Sequence, residues 1–211
     1  SQRYGAEAFD QLGQAIRSSV LLVVALTLPI AATFWFFPTA LLSVLTSDPR
    51  TIELGAAYLH VLALGVPFAG LNLVGGRILI GADDAWTPMV IRAGGAVANI
   101  ALNAVFIFGL GMGVVGAALG TVLAAAGVTV AFAAGLVVGR IPGVGPFPVT
   151  VAFRGSYLDG GTIRDLATIS TPVVGRNMVW TIARFPMLAF VGLLGPTVVA
   201  AYVISRRVWG L

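Results

Sequence analysis

Asn99 and Asn103 stand four residues apart, so on a helix their amide groups share one face and can converge on a single guest. Thr121 lies in the next apolar stretch and comes to face them if the two stretches form an antiparallel hairpin. A cation stripped of its water needs oxygen ligands, and amide carbonyls with a hydroxyl provide them. The same three residues could instead only hydrogen-bond neighbouring helices, at about 0.6 kcal/mol each. His60, the single histidine, reads either as an interhelical hydrogen-bonding residue or as a proton carrier. Asp83 and Asp84 read as a solvated turn.

Other chemistries are poorly supplied. Metal-assisted catalysis on a phosphate or prenyl substrate would want several acids in an Asp-x-x-Asp pattern, and zinc chemistry would want clustered histidines. The chain offers neither, and it has no cysteine for a thiolate site or a disulfide. An enzyme is therefore not expected. Gly111-Met112-Gly113-Val114-Val115-Gly116 fits the dinucleotide fingerprint G-x-G-x-x-G, which needs a preceding strand and an acid about 20 residues on. After Asp84 the next acid is Asp159, and apolar runs of membrane length flank the motif. It reads as a tight turn, with Gly116 and Gly120 placed where helices approach closely.

The elements that must position these residues belong to a membrane. Of 211 residues, 58% are hydrophobic and 9% charged, where a soluble domain carries roughly 25% charged residues. Mean hydropathy is +1.00. Residues 113–139 contain no ionisable side chain, and a run of about 18 or more such residues crosses a bilayer at 1.5 Å per residue. Uncharged stretches divide the chain into spans at about 18–46, 54–76, 93–109, 114–139 and 166–194, with a sixth opening at Pro196. Only helices or closed barrels satisfy the backbone in lipid, and these runs are too long for barrel strands. The fold expected is all-α, a polytopic transmembrane helical bundle.

Helix starts are signalled at Asp48-Pro49 and Thr87-Pro88, where a capping side chain precedes a proline, and at Thr162 with Asp165. The polar, proline- and glycine-bearing stretch 141–164 reads as a cytoplasmic linker. It separates a four-helix remainder of one lobe, 1–140, from the start of another, 165–211. With no initiating Met and an end inside an apolar run, the chain reads as an internal piece of a longer protein.

The net charge of +4 comes from twelve arginines and no lysine against eight acids. Here its meaning is topological rather than a sign of nucleic acid. Arg3, Arg17, Arg77, Arg92, Arg140, Arg154 and Arg164 fall on one side of the expected spans and only Arg50 on the other. The positive-inside rule then puts the Asp83-Asp84 turn in the cytoplasm.

Three segments carry a family resemblance. YLHVLALGVPFAGLNLVGGRILIGADDAWTPMVI (58–91), NIALNAVFIFGLGMGVVGAALGT (99–121) and STPVVGRNMVWTIARFPMLAFVGLLGPTVVAAYVISRRV (170–208) resemble, in order and spacing, helices four to eight of multidrug and toxic compound extrusion (MATE) transporters. The resemblance implies helices three to seven and part of eight of a twelve-helix, two-lobe antiporter in the cell membrane. Such an antiporter exports amphipathic, often cationic organic compounds, a drug-like small-molecule substrate, in exchange for Na+ or H+. It implies no cofactor and no nucleic-acid partner.

Asn99, Asn103 and Thr121 match the polar positions that line the family's cation site, which an aspartate of the first helix completes. No metal other than Na+ at that site is implied. Many relatives have aspartate where this chain has Asn103, and some have an acid where it has Trp180. A flippase of lipid-linked saccharides on the same fold is the alternative reading.

Arg176 and Arg184 are the residues most costly to bury. On a helix starting near Ile163 they fall about 20 and 32 Å along the axis. An arginine at mid-membrane costs roughly 2.5 to 3.5 kcal/mol, so Arg176 must face protein or water. With Asn177 and Thr181 they extend a polar strip, and with Trp180 they are the candidates for the substrate cavity. Paired arginines leave room for a cationic substrate, whereas unpaired ones call for an anionic one.

Overall fold

The computed structural model describes residues 9–44, 47–141 and 145–146, all within one compact unit, Ser1–Asp159. The first helix, α1, runs Phe9–Phe36. It stops where Phe37 leaves helical geometry (φ −127°, ψ 36°) ahead of Pro38. Proline has no N–H to continue the ladder and disfavours helix at the residue before it. A six-residue helix, α2, then starts on that proline, Pro38–Ser43. The expected first span, 18–46, is therefore broken, and its continuous part ends at Phe36.

Asp48 starts the long helix α3, Pro49–Gly81, as its sequence predicts. The Asp48 carboxylate accepts from the backbone N–H of Thr51 at 3.0 Å and also from the Thr51 hydroxyl, while Pro49 takes the position whose N–H would go unused. At 33 residues, α3 is about 50 Å long, and a hydrocarbon core is about 30 Å thick. Its ends accordingly extend well past the expected 54–76.

The next start differs from expectation. Helix α4, Trp86–Asn103, begins before Thr87 with Ala85 at the N-cap position, and the side chain that serves its first turn is Asp84, whose Oδ1 accepts from Thr87 N at 3.0 Å. Thr87 is itself 4% exposed, so its amide needs a partner from the turn. Asp83 provides the reversal at φ 66°. Asp84 thus does structural work where a merely solvated turn was expected.

After Asn103 the helix widens into a π-helical turn, Ala104–Gly109, in which Leu110 N donates to Val105 O, five residues back, at 2.9 Å. Gly111 and Gly113 then reverse the chain at φ 66° and 55°, a region that costs glycine little. Helix α5, Gly113–Val138, follows. The G-x-G-x-x-G string is a turn between membrane helices, as its flanks predict.

Among the described residues, four helical segments are long and apolar enough to cross a membrane: Ala15–Phe36, Pro49–Gly81, Trp86–Gly109 and Gly113–Val138. Helix α3 packs against both α1 and α5, and α4 against α5. The contacts are close because glycines sit at the crossings: a Cβ on Gly70 would stand 2.8 Å from Thr27 of α1, and one on Gly65 would stand 2.8 Å from Val122 of α5. Leu79, Ile91, Phe132 and Leu136 close a core among α3, α4 and α5. Val97, Ile100 and Phe108 are exposed. Beyond α5, Arg140–Ile141 pairs antiparallel with Gly145–Pro146. The expected fifth and sixth spans lie outside the described residues.

Candidate functional site

The hairpin of α4 and α5 brings Asn99, Asn103 and Thr121 together. Asn103 Nδ2 donates to Asn99 Oδ1 at 3.2 Å, Asn99 Nδ2 to Thr121 Oγ1 at 3.4 Å, and the Thr121 hydroxyl to Ala117 O at 2.9 Å. Every link in this chain passes a donor in one direction. At its head, Asn103 Oδ1 is buried and has no hydrogen-bond partner among the described residues. A buried acceptor without a donor costs about 1–3 kcal/mol, and a cation or a proton donor is the partner that would remove that cost.

Two backbone features shape the site. Gly120 of α5 lies directly under the Asn103 amide, and any Cβ there would overlap its oxygen. The π-helical turn begins at the residue after Asn103, a distortion found often at functional positions. All the oxygens here are neutral, and the described residues hold no cluster of three or more His, Asp or Glu.

A second polar cluster, among Asn72, Thr129 and Arg92, escaped the sequence reading. Asn72 of α3 donates to Ala125 O at 3.0 Å, and the Thr129 hydroxyl of α5 lies 2.7 Å from Asn72 Oδ1. Arg92 of α4 reaches across Gly76 to donate to Asn72 O at 3.3 Å. This cluster binds three helices together through hydrogen bonds. Its sequence signal was the same as for Asn99, isolated polar residues within apolar runs, but its members lie too far apart in sequence for spacing to connect them.

His60 donates through Nε2 to Trp35 O at 2.9 Å, and the Trp35 ring meets the imidazole edge-on at 5.5 Å. The break at Phe37 explains the contact, because it frees the carbonyls of the last turn of α1 and one of them takes the imidazole. This is the interhelical role foreseen for His60. Arg176, Asn177, Trp180, Thr181 and Arg184 lie outside the described residues.

The MatE family model matches residues 1–105. The chain is 30% identical over 124 residues to "Probable multidrug resistance protein YpnP" of Bacillus subtilis (strain 168), an alignment covering 58% of this chain and 28% of that protein. It is similar to a MATE crystallised in complex with MaD5, with TM-score 0.79 and 27% identity over 97% of this chain and 46% of that one. An inward-facing multidrug resistance MATE family transporter of the MOP superfamily gives TM-score 0.72 and 28% identity over 82% and 38%. The chain thus spans less than a third of the curated relative and less than half of these two structures. Sequence order, helical architecture and these matches agree: the chain belongs to the multidrug and toxic compound extrusion (MATE) family and is part of a multi-pass membrane protein.

Proposed function

We propose that this chain is part of a secondary antiporter that exports amphipathic organic cations in exchange for Na+ or H+, with Asn99, Asn103 and Thr121 holding the coupling cation. One observation carries the reading: Asn103 Oδ1, buried at the head of a one-way donor chain, has no donor among the described residues. The resemblance of the chain to multidrug transporters supports the export role, and the comparisons lend no support to the flippase alternative.

In this mechanism the ion binds one packing of the helices better than the other and shifts the population between them. Substrate binding biases it the opposite way. The site lies where α4 changes from α- to π-helical geometry, so a change in the Asn103 amide acts on a place where the helix ladder already has two registers. Pro29 and Pro67 lie within α1 and α3, where each removes a helical hydrogen bond and gives the helix a place to bend. Pro172 and Pro186 lie outside the described residues.

Replacing Asn103 by Leu in the full-length transporter tests the assignment. Loss of ion-dependent efflux in a protein that still inserts and folds is the expected result. Unchanged ion dependence would return the three residues to a packing role.

A further inference from the structure

Near the Gly81 end of α3, Arg77 of that helix and Arg92 of α4 come to one place. The Arg92 guanidinium lies against Gly76, where any Cβ would overlap it. Arg77 is the next residue, its Cα about 3.8 Å from that of Gly76. Successive residues stand about 100° apart around a helix, and Leu73 and Ile80 fall in the arc between Gly76 and Arg77. Leu73 is 54% exposed and Ile80 45%. The two arginines therefore flank one exposed apolar strip.

Their charge is uncompensated among the described residues. Arg92 donates to the neutral carbonyl of Asn72, and Arg77 has no hydrogen-bond or ion-pair partner there. Of the two acids in the following turn, Asp84 serves the Thr87 amide, and neither it nor Asp83 pairs with either arginine.

Depth narrows the partner. At 33 residues, α3 is about 20 Å longer than a hydrocarbon core, so about 10 Å emerges at each end when it is centred. Gly76 and Arg77 lie five and four residues before Gly81, about 6 to 8 Å from that end, which is headgroup level. The positive-inside rule assigns this end to the cytoplasm. Leu73 on α3 and Val97 and Ile100 on α4 lie deeper and are exposed. A fitting partner carries a negative phosphate, which guanidinium groups bind bidentately, on an apolar body that runs past Leu73 toward the membrane centre. A zwitterionic headgroup brings its own cation and leaves the pair uncompensated.

We infer that an anionic phospholipid of the cytoplasmic leaflet binds here, its phosphate between Arg77 and Arg92 and an acyl chain along Leu73. The test is native mass spectrometry of the full-length protein in detergent, titrated with phosphatidylglycerol and with phosphatidylcholine. The parent should hold one phosphatidylglycerol more tightly than phosphatidylcholine. Arg77→Gln, at an exposed position that leaves the Asn72 contact intact, should lower the phosphatidylglycerol affinity about fivefold at an unchanged thermal unfolding midpoint. Arg77→Lys, which keeps the charge and loses the bidentate fork, should fall between the two. Arg50→Gln, at the opposite end of α3, should bind like the parent. Equal retention of the two lipids by the parent, or parent-like affinity in Arg77→Gln, would overturn the inference. Release of phosphatidylglycerol by inorganic phosphate would overturn it too, by making the phosphate alone the ligand. Failure here leaves ion coupling at Asn103 untouched, because the two places share no residue.

Discussion

The side-chain oxygen of Asn103 rests on the bare Cα of Gly120, in a space that no other residue type could leave open. Helices α4 and α5 approach each other closely at this pair, and the orphaned acceptor lies at the same point. Close packing and polar chemistry therefore depend on one another here.

Gly120→Ala should show that dependence. The new methyl must displace the Asn103 amide, and overpacking of this kind costs about 1–3 kcal/mol. Thermal unfolding in detergent should fall accordingly, and any stabilisation by added Na+ should shrink with it. A variant as stable as the parent, with the same response to Na+, would mean that Asn103 moves aside freely and is not held for a ligand.

His60 and Trp35 give a second expectation. His60→Leu leaves the Trp35 carbonyl without its donor and should destabilise the junction of α1 and α3 by about 1 kcal/mol or more. His60→Gln retains an N–H and should recover most of the loss. Equal behaviour of the two variants in thermal unfolding would show that the ring matters for its shape alone.

The staple between α3 and α5 should respond to Thr129→Val, which keeps the shape and removes the hydroxyl that serves Asn72 Oδ1. Membrane hydrogen bonds average about 0.6 kcal/mol and reach about 1.7, so a modest loss of stability is expected. Ion-dependent efflux should persist, because this cluster shares no residue with the Asn99 chain.

Asp48 sets a pH dependence at the start of α3. Its carboxyl is held below the usual carboxylate value chiefly by the Thr51 hydroxyl, with the Thr51 backbone N–H next. A depressed folded value means that the cap is fully in force above the unfolded value of about 3.9 and is lost as pH falls through the lower, folded one. An NMR titration of the Thr51 amide should therefore show a midpoint below the ordinary carboxylate range. In Asp48→Asn, whose amide still caps but does not ionise, that titration should disappear.

The arginine asymmetry predicts that single cysteines at Ser47 and Asp83, which lie at opposite ends of α3, react with an impermeant reagent from opposite faces of the membrane. Asp83 should label from the cytoplasmic side. Labelling of both from one face would contradict a spanning α3.

The sequence by itself determined the membrane setting, the number of described spans and the helix start at Asp48-Pro49, because hydropathy, chain length and local capping act within a few residues of one another. It also determined that Asn99 and Asn103 share a face, since helical periodicity is local. The tertiary structure decided what those residues meet. Which oxygen lacks a donor, why Gly120 is bare, and which carbonyl His60 caps all depend on the crossing of helices far apart in sequence. The Asn72, Thr129 and Arg92 staple joins α3, α4 and α5 in the same way, so no spacing within one helix could reveal it. Asp84 displaced Thr87 as the capping side chain for a subtler reason. Both residue types can cap a helix, but the turn through Asp83 at positive φ starts the helix ahead of Thr87, which therefore supplies the amide that Asp84 accepts from.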